Sequence, residues 1–490
     1  MLQGKENVVN FVEFMRGLLH ILLPAVVLCL ASCARILNPE VDFLSAPQVV
    51  GSTDTVFSWG YDEDDGFHQD RCRIVIKGVW DSGEIATADS RVVLPEDVLL
   101  SSLRKYRWKV EAWDADGHKR TARSSFRTGI FPAGHWTGQW IAPALSTPSQ
   151  PLFRARFAVG KGIKRAILCI SSTGGHLISI DGEAVGCPYS VPTSLYGSLV
   201  GQYRVYDVTD EVSRRGQREL TVQVVAPQPA LIAELHLFYK DGSHDRICTD
   251  DRWEVSLDSP YILLEDGVQY DALTDSLTWS PASFTDKGYS LLLPDETPLK
   301  ATRRVVPSSE KQGDTLRVFE FSDPVRANCF VEASGDQGDI VELRYISSTG
   351  KRIATDRLIL GRKGRARWTD AFSGREFQRV EAVYPKGVKV KLQADVLPEF
   401  PSTWTSLRGE AEGFLLDPTP SSAPFEAMDT LYSHYGDRRM LERAWPALES
   451  YLSLTKRKSL EEYTLMEKFA LALGRDATPY TETRRIMTRK

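Results

Sequence analysis

The stretch that decides the fold runs from Leu177 to Val225. It reads LISIDGEAVG, then, after Cys187, PYSVPTSLYGSLVGQYRVYDVTDEV and SRRGQRELTVQVV. Asp181-Gly182 lies between two extended runs and predicts a β-hairpin, because a type I′ turn needs positive φ at both central residues. Apolar residues alternate with polar ones on both sides of this turn: Ile178, Ile180, Leu220, Val222 and Val224. The alternation indicates strands with one buried and one wet face, as in an antiparallel β-sandwich.

Size and charge narrow the class of protein. The chain has 490 residues, of which 42% are apolar, which supports packed cores in about three or four domains. The net charge is −5, and basic and acidic residues are interleaved along the sequence. Because no basic stripe is present, we expect no nucleic-acid partner.

The N-terminus predicts where the protein resides. An apolar run, Gly17–Leu30, follows Arg16 and is too short to span a bilayer comfortably. It ends in LASC at residues 30–33, which resembles the lipobox of bacterial lipoproteins, where the cysteine is lipidated. We therefore expect residues 1–33 to be a lipoprotein signal peptide and Cys33 to anchor the protein in the bacterial cell envelope. The alternative is an ordinary signal peptide. Ala34 is not the Asp associated with inner-membrane retention, which favours the outer membrane.

Five cysteines follow Cys33, and their spacing argues against cysteine chemistry. They are Cys72, Cys169, Cys187, Cys248 and Cys329. An odd number without CxxC spacing indicates neither a complete disulfide framework nor a cysteine metal site. Those that lie in apolar strand patterns are expected to be small buried hydrophobes.

Short motifs in a fixed order carry a resemblance to a known family. The first four are WDSG at Trp80–Gly83, YRWKVEAWDADG at Tyr106–Gly117, FRTG at Phe126–Gly129 and WTGQWIAP at Trp136–Pro143. They are followed by IDGEAVG, YRVYDVT, YKDGS, TDDRWEV and EDGVQYDA. Together, over about residues 55 to 413, they resemble the N-terminal half of bacterial α-L-rhamnosidases, the inverting glycoside hydrolases that remove terminal rhamnose.

The resemblance implies a mainly β protein built from tandem antiparallel β-sandwiches. We expect a fibronectin III-like sandwich at residues 38–130 and a jelly-roll module at 131–300. A second rhamnosidase-type β-sandwich is expected at 301–413, and a short C-terminal helical segment at 414–490. In this family the sandwiches lie beside a catalytic (α/α)₆ barrel.

The resemblance also implies ligands. Some members of the family bind rhamnose on these modules, and in some a calcium ion takes part, so rhamnose-containing glycans are the expected partners. Tyr196, Tyr203 and Trp253 are the candidate stacking residues for a sugar. Calcium is implied by the resemblance alone. The acidic turn Gly335–Asp339 has too few clustered oxygen ligands, so we predict neither a metal site nor another cofactor.

The tail from residue 414 has helical periodicity. Ser459 and Glu462 form a capping box, Gly474 ends the helix that follows, and Pro446 is expected to divide the helix before it. YGDRRMLERAWPALESYL resembles a helix pair of the family's barrel. Only 77 residues follow Gly413 (490 − 413), whereas twelve helices need well over about 150 residues. We therefore expect the tail to hold fragments of a barrel.

The expected function depends on whether the sequence contains the two catalytic carboxylates of a glycosidase. An inverting glycosidase needs two carboxylates about 6.5–9.5 Å apart with a water between them. The family's acidic barrel motif is not found, and the acids of the tail lie on amphipathic helices: Glu426, Asp429, Asp437, Glu442, Glu449, Glu461, Glu462 and Glu467. No catalytic residue is predicted.

Three hypotheses about function result. We expect a non-catalytic, glycan-binding lipoprotein of the rhamnosidase type. The first alternative is an active α-L-rhamnosidase with unrecognised carboxylates or with a second chain that completes the barrel. The second alternative is an adhesion or scaffold lipoprotein.

Overall fold

The computed structural model describes most of the chain after the predicted signal peptide. The described residues are 35–45, 55–62, 66–95, 97–130, 135–145, 149–185, 194–274, 276–294, 303–369, 375–396, 403–417, 425–436, 438–454 and 459–488. They form two compact units. The first comprises the described residues within 35–45, 55–98 and 105–126, and the second comprises those within 99–104 and 127–488.

The first unit contains two β-sheets. One has the strand order Leu44–Ser45, Leu37–Val41, Val56–Gly60 and Arg91–Val93. The other has the order Trp80–Asp81, Arg71–Ile76, Lys105–Trp113 and Lys119–Arg127, and Ile85–Ala86 pairs with its second strand. The alternation in two of these strands places Cys72, Ile74, Ile76, Trp108 and Val110 in the core. The predicted small sandwich is confirmed here.

The second unit begins with a two-sheet sandwich. The path of its eight-stranded sheet is Ser194–Tyr196, Val200–Asp207, Ile163–Ser172, Leu231–Tyr239, Ile141–Ala142 and Ser283–Phe284, with His244–Cys248 and Leu291–Pro294 attached beside it. The six-stranded sheet has the order Glu183–Ala184, Gly175–Ile180, Gly216–Val225, Leu152–Val159, Glu254–Ser256 and Ser280–Pro281. One apolar core between the sheets contains Ile178, Ile180, Leu220, Val222 and Val224.

The predicted hairpin has the predicted turn. Asp181 has a φ of 52° and Gly182 a φ of 82°, as a type I′ turn requires. Across the turn Ser179 pairs with Ala184 and Ile180 with Glu183. The Asp181 carboxylate accepts a hydrogen bond from the Glu219 backbone N–H at 2.9 Å. Asp181 is therefore a turn residue, and it also pairs with Arg218.

A ten-stranded sheet forms the next layer of the second unit. Its path is Tyr261–Leu263, Val268–Asp271, Arg352–Ile359, Ile340–Ile346, Arg375–Val383, Leu316–Ser334, Lys389–Val396 and Arg303–Val305, with Ser309–Gln312 and Arg365–Thr369 paired to the long central strand. Val268–Asp271 pairs in parallel with Arg352–Ile359. This sheet thus takes strands from both sides of the module boundary predicted at residue 300, because a parallel partner distant in sequence completes its edge.

Five helices follow the sheets in the described part of the chain. They are α1 (Thr403–Leu416), α2 (Phe425–Ser433), α3 (Arg438–Leu454), α4 (Leu460–Leu473) and α5 (Thr478–Thr488). Ser459 and Glu462 form the predicted capping box, and Gly474 ends α4 with a φ of 68°. Two expectations are wrong: α1 begins inside the predicted third sandwich, and α3 runs through Pro446 without a break. No helix in the described ranges is long and apolar enough to cross a membrane.

The helices bury their apolar faces against one another. The buried set includes Phe414, Phe425, Leu431, Trp445, Leu448, Leu452 and Phe469. A bidentate ion pair, with both Glu412 Oε–Arg443 Nη distances at 3.0 Å, ties α1 to α3. Helix α1 also packs on the sandwich strands Ser194–Tyr196 and Val200–Asp207. The tail is therefore attached to the sandwich that precedes the ten-stranded sheet.

Two glycines of α1 allow this close approach. A Cβ at Gly413 would lie 2.2 Å from Cδ1 of Tyr196, and a Cβ at Gly409 would lie 2.7 Å from Cβ of Leu195. Both distances are far below van der Waals contact. The helix can approach the edge strand only because these positions have no side chain.

We predict that Gly413→Ala lowers the melting temperature of the second unit. In an exposed helix this substitution stabilises by about 1 kcal/mol, but here the methyl group overlaps the Tyr196 ring, and overpacking costs about 1–3 kcal/mol. Calorimetry of the purified chain measures the change. Gly160→Ala is the matched control, since its Cβ would meet nothing within 4 Å. An unchanged or higher melting temperature for Gly413→Ala would show that the helix does not pack on the strand.

Candidate functional site

The predicted stacking residues are parts of the fold. Tyr203 is 1% exposed, and its hydroxyl accepts a hydrogen bond from the Ile130 N–H at 2.7 Å. Trp253 is 2% exposed, and its indole N–H donates to the Cys248 carbonyl at 2.8 Å. Tyr196 is half-buried against Gly413. The rings of Tyr203 and Trp253 therefore have no surface on which a sugar can stack, and Cys33 lies outside the described residues.

The acids of the helical tail are mostly held by partners. Asp429 pairs with Lys468 at 2.5 Å, Glu442 with Arg438 at 3.1 Å and Glu467 with Arg484 at 2.6 Å. Glu449 accepts a hydrogen bond from Tyr480 and Glu462 one from Tyr451. These contacts give the acids structural roles on the surface of the bundle. Asp437 lies outside the described residues.

Sequence reasoning overlooked one carboxyl group, that of Glu410 on α1. Burial raises the pKa of Glu410, and the nearby Glu426 carboxylate raises it further. A raised pKa is what a general acid needs at neutral pH. The sequence pattern gives no sign of this residue, because its environment depends on how α1 meets the other helices.

The strongest candidate site is a groove in the second unit, and its floor is the outer face of the six-stranded sheet. Along the strands Gly175–Ile180 and Gly216–Val225, the residues that alternate with the core point to this face. The groove is lined there by Leu177, Ser179, Thr221, Gln223 and Leu152. Ser179 lies directly opposite Thr221, and their hydroxyl oxygens are 2.5 Å apart. A pair of mutually hydrogen-bonded hydroxyls keeps a further proton and lone pairs for a ligand.

The wall of the groove comes from the ten-stranded sheet. It consists of Tyr261, Tyr270, Arg367, Trp368 and Thr369. The two tyrosine rings lie 5.1 Å apart between centroids. Burial raises the pKa of Tyr270, and Asp271 raises it further, so the phenol is neutral at ordinary pH. The groove volume of about 320 Å³ lies at the lower end of the range for small-molecule sites, about 300–1,000 Å³.

The polar groups of the groove give it little net charge. The Arg367 guanidinium is exposed and pairs with Glu332 at 2.9 Å. His176 lies at the inner end, where its Nδ1 is 2.8 Å from the Ser172 hydroxyl oxygen. Burial, together with the smaller effect of Arg204, lowers the pKa of His176 to about 3, so the ring is neutral. The groove therefore combines aromatic rings and hydroxyl groups with an arginine whose charge is balanced by Glu332. These groups suit an uncharged ligand that carries several hydroxyl groups.

Trp368 adds an unsatisfied hydrogen-bond donor to this wall. It is 3% exposed, and its indole N–H has no hydrogen-bond acceptor among the described residues. A buried donor without an acceptor costs about 1–3 kcal/mol. The indole nitrogen is itself buried, so this donor belongs to the core of the ten-stranded sheet.

The fold defines the class as a tandem β-sandwich protein with a helical segment packed on one sandwich. A family model described as the Rha78A-like N-terminal immunoglobulin domain matches residues 36–132, and the α-L-rhamnosidase N-terminal domain matches residues 213–311. The first match is an immunoglobulin domain where the sequence predicted a fibronectin III-like one, and the two share the sandwich architecture.

Individual relatives agree with these matches. An α-L-rhamnosidase of Formosa agariphila is 22% identical over 360 residues, which are 62% of this chain and 39% of that protein. The α-L-rhamnosidase structure from Dictyoglumus thermophilum has a TM-score of 0.73 at 18% identity, and 92% of this chain and 72% of that chain are covered. The structure from Aspergillus terreus has a TM-score of 0.72 at 16% identity, with 93% and 74% covered.

These matches agree with the motifs. Residues 36–132 and 213–311 match domains of α-L-rhamnosidases, which confirms the resemblance that the motifs predicted. The matched part spans about two-fifths of the length of the Formosa relative.

We predict that His176 makes the second unit sensitive to acid. The unfolded ring has a pKa of about 6.5, so between about pH 6.5 and pH 3 the unfolded chain binds a proton that the folded chain does not. Stability therefore falls as the pH decreases through this window, by about 1.4 kcal/mol per pH unit. His176→Asn can still meet Ser172 but cannot titrate. Between pH 7 and pH 5 it should lose about 2 kcal/mol less free energy of unfolding than the wild type, measured by urea titration.

The control for this prediction is His118→Asn. His118 is exposed and pairs with Asp114, which raises the pKa of His118, so its contribution has the opposite sign. Removing His118 should not reduce the loss of stability in acid. If His176→Asn and the wild type lose stability equally, His176 is protonated in the folded chain.

Proposed function

We propose that this protein binds rhamnose-containing glycans at the groove between the six-stranded and ten-stranded sheets and does not hydrolyse them. The observation that carries the proposal is that the hydroxyl pair of Ser179 and Thr221 lines the same groove as the half-buried ring of Tyr270. Sugar recognition combines hydrogen bonds to hydroxyl groups with apolar contact to the ring carbons. The matched relatives carry the name α-L-rhamnosidase, which supports rhamnose as the sugar.

The chemistry of the groove fits a 6-deoxy sugar. Ser179 and Thr221 supply hydrogen-bond donors and acceptors on the floor of the groove. Leu152 and Leu177 give the same floor an apolar part, which is suited to a methyl group. Because Arg367 is paired with Glu332, charge does not dominate the site.

The absence of hydrolysis is proposed from the state of the carboxylates. A glycosidase acid and base must face each other across a substrate and a water. In the described helices Asp429, Glu442 and Glu467 are each held in an ion pair. Glu412, which is buried, is held by Arg443 in a bidentate pair.

Hydrolysis remains the second candidate function, and Glu410 favours it. A raised pKa is a property of a general acid, and the Glu426 carboxylate contributes to raising the pKa of Glu410. In this case Glu410→Gln would abolish the release of rhamnose from an aryl rhamnoside. Glu410→Asp would retain part of the activity.

We also propose that Cys33 carries a lipid anchor that holds the protein in the bacterial outer membrane. The support is the order of the leader: a basic residue, an apolar run and then LASC. Two or more acyl chains make such an anchor stable, whereas one chain gives only reversible binding.

We predict that Ser179→Ala combined with Thr221→Val weakens binding of a rhamno-oligosaccharide at least about fivefold. Each hydrogen bond that is lost contributes about 1 kcal/mol, and tenfold in affinity corresponds to about 1.4 kcal/mol. Isothermal titration calorimetry measures the dissociation constants. The matched control is Ser347→Ala with Thr349→Val, which removes an exposed hydroxyl pair, with its oxygens 2.8 Å apart, from a turn.

Two outcomes would contradict the proposal. Equal affinities for the groove variant and the turn control would show that the sugar binds elsewhere. Rapid release of rhamnose by the wild type, lost in Glu410→Gln, would show that the protein is an enzyme rather than a binding protein.

We predict that Cys33→Ala abolishes incorporation of labelled palmitate and moves the protein from the detergent phase to the aqueous phase. The leader offers its own control, because Cys29 lies in the apolar run. Cys29→Ala should be lipidated like the wild type. Retained label in Cys33→Ala would mean that the leader is an ordinary signal peptide.

A further inference from the structure

We propose that the groove is one end of a longer binding strip across the six-stranded sheet, and that the strip binds a neutral oligosaccharide rather than a single sugar. The inference rests on the proposed function and names the size and charge of its ligand. It is carried by the register of four strands and by one tryptophan outside the groove.

The strip follows a single row of directly opposite residues. Ser179 faces Thr221, Thr221 faces Arg154, and Arg154 faces Glu254. All four residues alternate with core residues and therefore lie on the outer face. Neighbouring strands are about 4.8 Å apart, so the row extends about 14 Å from Ser179 to Glu254. The row thus continues well beyond the groove, which contains only its first two residues.

Trp279 lies at the far part of this row. The Arg154 guanidinium carbon is 3.7 Å from the centre of the Trp279 ring, which is stacking contact. Arg154 is 7% exposed, whereas Trp279 is half-buried. The ring therefore covers the arginine, and its exposed surface lies on the side away from the sheet. A flat aromatic surface held in this way is a platform for the C–H face of a sugar ring.

The contacts of Arg154 fix the platform. Its Nε and Nη2 donate to Glu254 Oε2 at 2.9 and 2.7 Å, and its Nη1 is 3.6 Å from Glu219 Oε2. A guanidinium with two carboxylate partners has little rotational freedom. The indole that stacks on it is therefore ordered before a ligand arrives, which reduces the entropy lost on binding.

The charges along the strip cancel. Arg154 and Arg156 stand beside Glu219 and Glu254, and Arg156 pairs with Glu219 at 3.1 Å. Two positive and two negative groups leave no net field to attract a charged glycan. A chain of neutral sugars is therefore the chemical class that fits, with one sugar in the groove and a later sugar on Trp279.

The test compares ligands of increasing length on the whole chain. By calorimetry, α-linked rhamnotetraose should bind the wild type about tenfold more tightly than L-rhamnose. Trp279→Ala should remove most of that gain and leave the dissociation constant for L-rhamnose unchanged. Trp279→Phe, which keeps a ring, should restore part of the gain. Trp113→Ala is the matched control, since Trp113 is a half-buried tryptophan stacked by Arg71 and Lys119 in the other unit.

The outcomes separate this inference from the proposed function. Equal affinities for L-rhamnose and rhamnotetraose, or no effect of Trp279→Ala, would overturn the strip while the groove stands. Tighter binding of an oligosaccharide of equal length that contains uronic acids would overturn the neutral ligand. Binding of neither rhamnose nor any oligosaccharide would overturn the proposed function together with the strip.

Discussion

The strand Gly216–Val225 is the element on which the rest of the second unit depends, because both of its faces are used. Leu220, Val222 and Val224 fill the core between two sheets. The residues between them, Thr221 and Gln223, face the ten-stranded sheet. Gln223 is 5% exposed, and its amide donates to the Gln150 and Pro151 carbonyls while its oxygen accepts from Ser259. This strand therefore joins two layers. A shift of its register by one residue would move its core residues to the outer face and its outer residues to the core.

This constraint explains why the candidate site lies where it does. On the outer face, Leu177, Gln223 and Leu152 form one row of directly opposite residues, and all three line the groove. The neighbouring row places the hydroxyls of Ser179 and Thr221 in the same groove. A polar face that is half covered offers both an apolar wall and hydrogen-bonding groups. Such a border is a natural place for a ligand that is itself apolar on one side and polar on the other.

The helices have a different relation to the site. Their apolar residues are satisfied by one another, and their acids are mostly satisfied by neighbouring bases. Helix α1 is attached to the sandwich at Gly409 and Gly413, so the bundle has a fixed support. Most carboxylates of the helices therefore stabilise the fold through ion pairs and hydrogen bonds. Glu410 differs from them, because burial raises its pKa. The groove beside the sandwich contains hydroxyl groups and aromatic rings, whereas the helices carry most of the acidic residues discussed above.

The sequence alone determined the elements whose causes are local. The type I′ turn at Asp181-Gly182 follows from the need for positive φ, and the α4 caps follow from Ser459, Glu462 and Gly474. The order of motifs indicated the resemblance to α-L-rhamnosidases that the domain matches support. Alternation also showed that Ser179 and Thr221 face outward, but not what they face. Only the tertiary structure placed Tyr270 in the same groove, buried Tyr203 and Trp253, and brought Trp279 over Arg154. The reason is physical. A residue's propensity and the face on which it lies depend on its near neighbours in sequence. Its partners across sheets depend on pairings between segments up to about two hundred residues apart, and a local sequence pattern does not reveal those pairings.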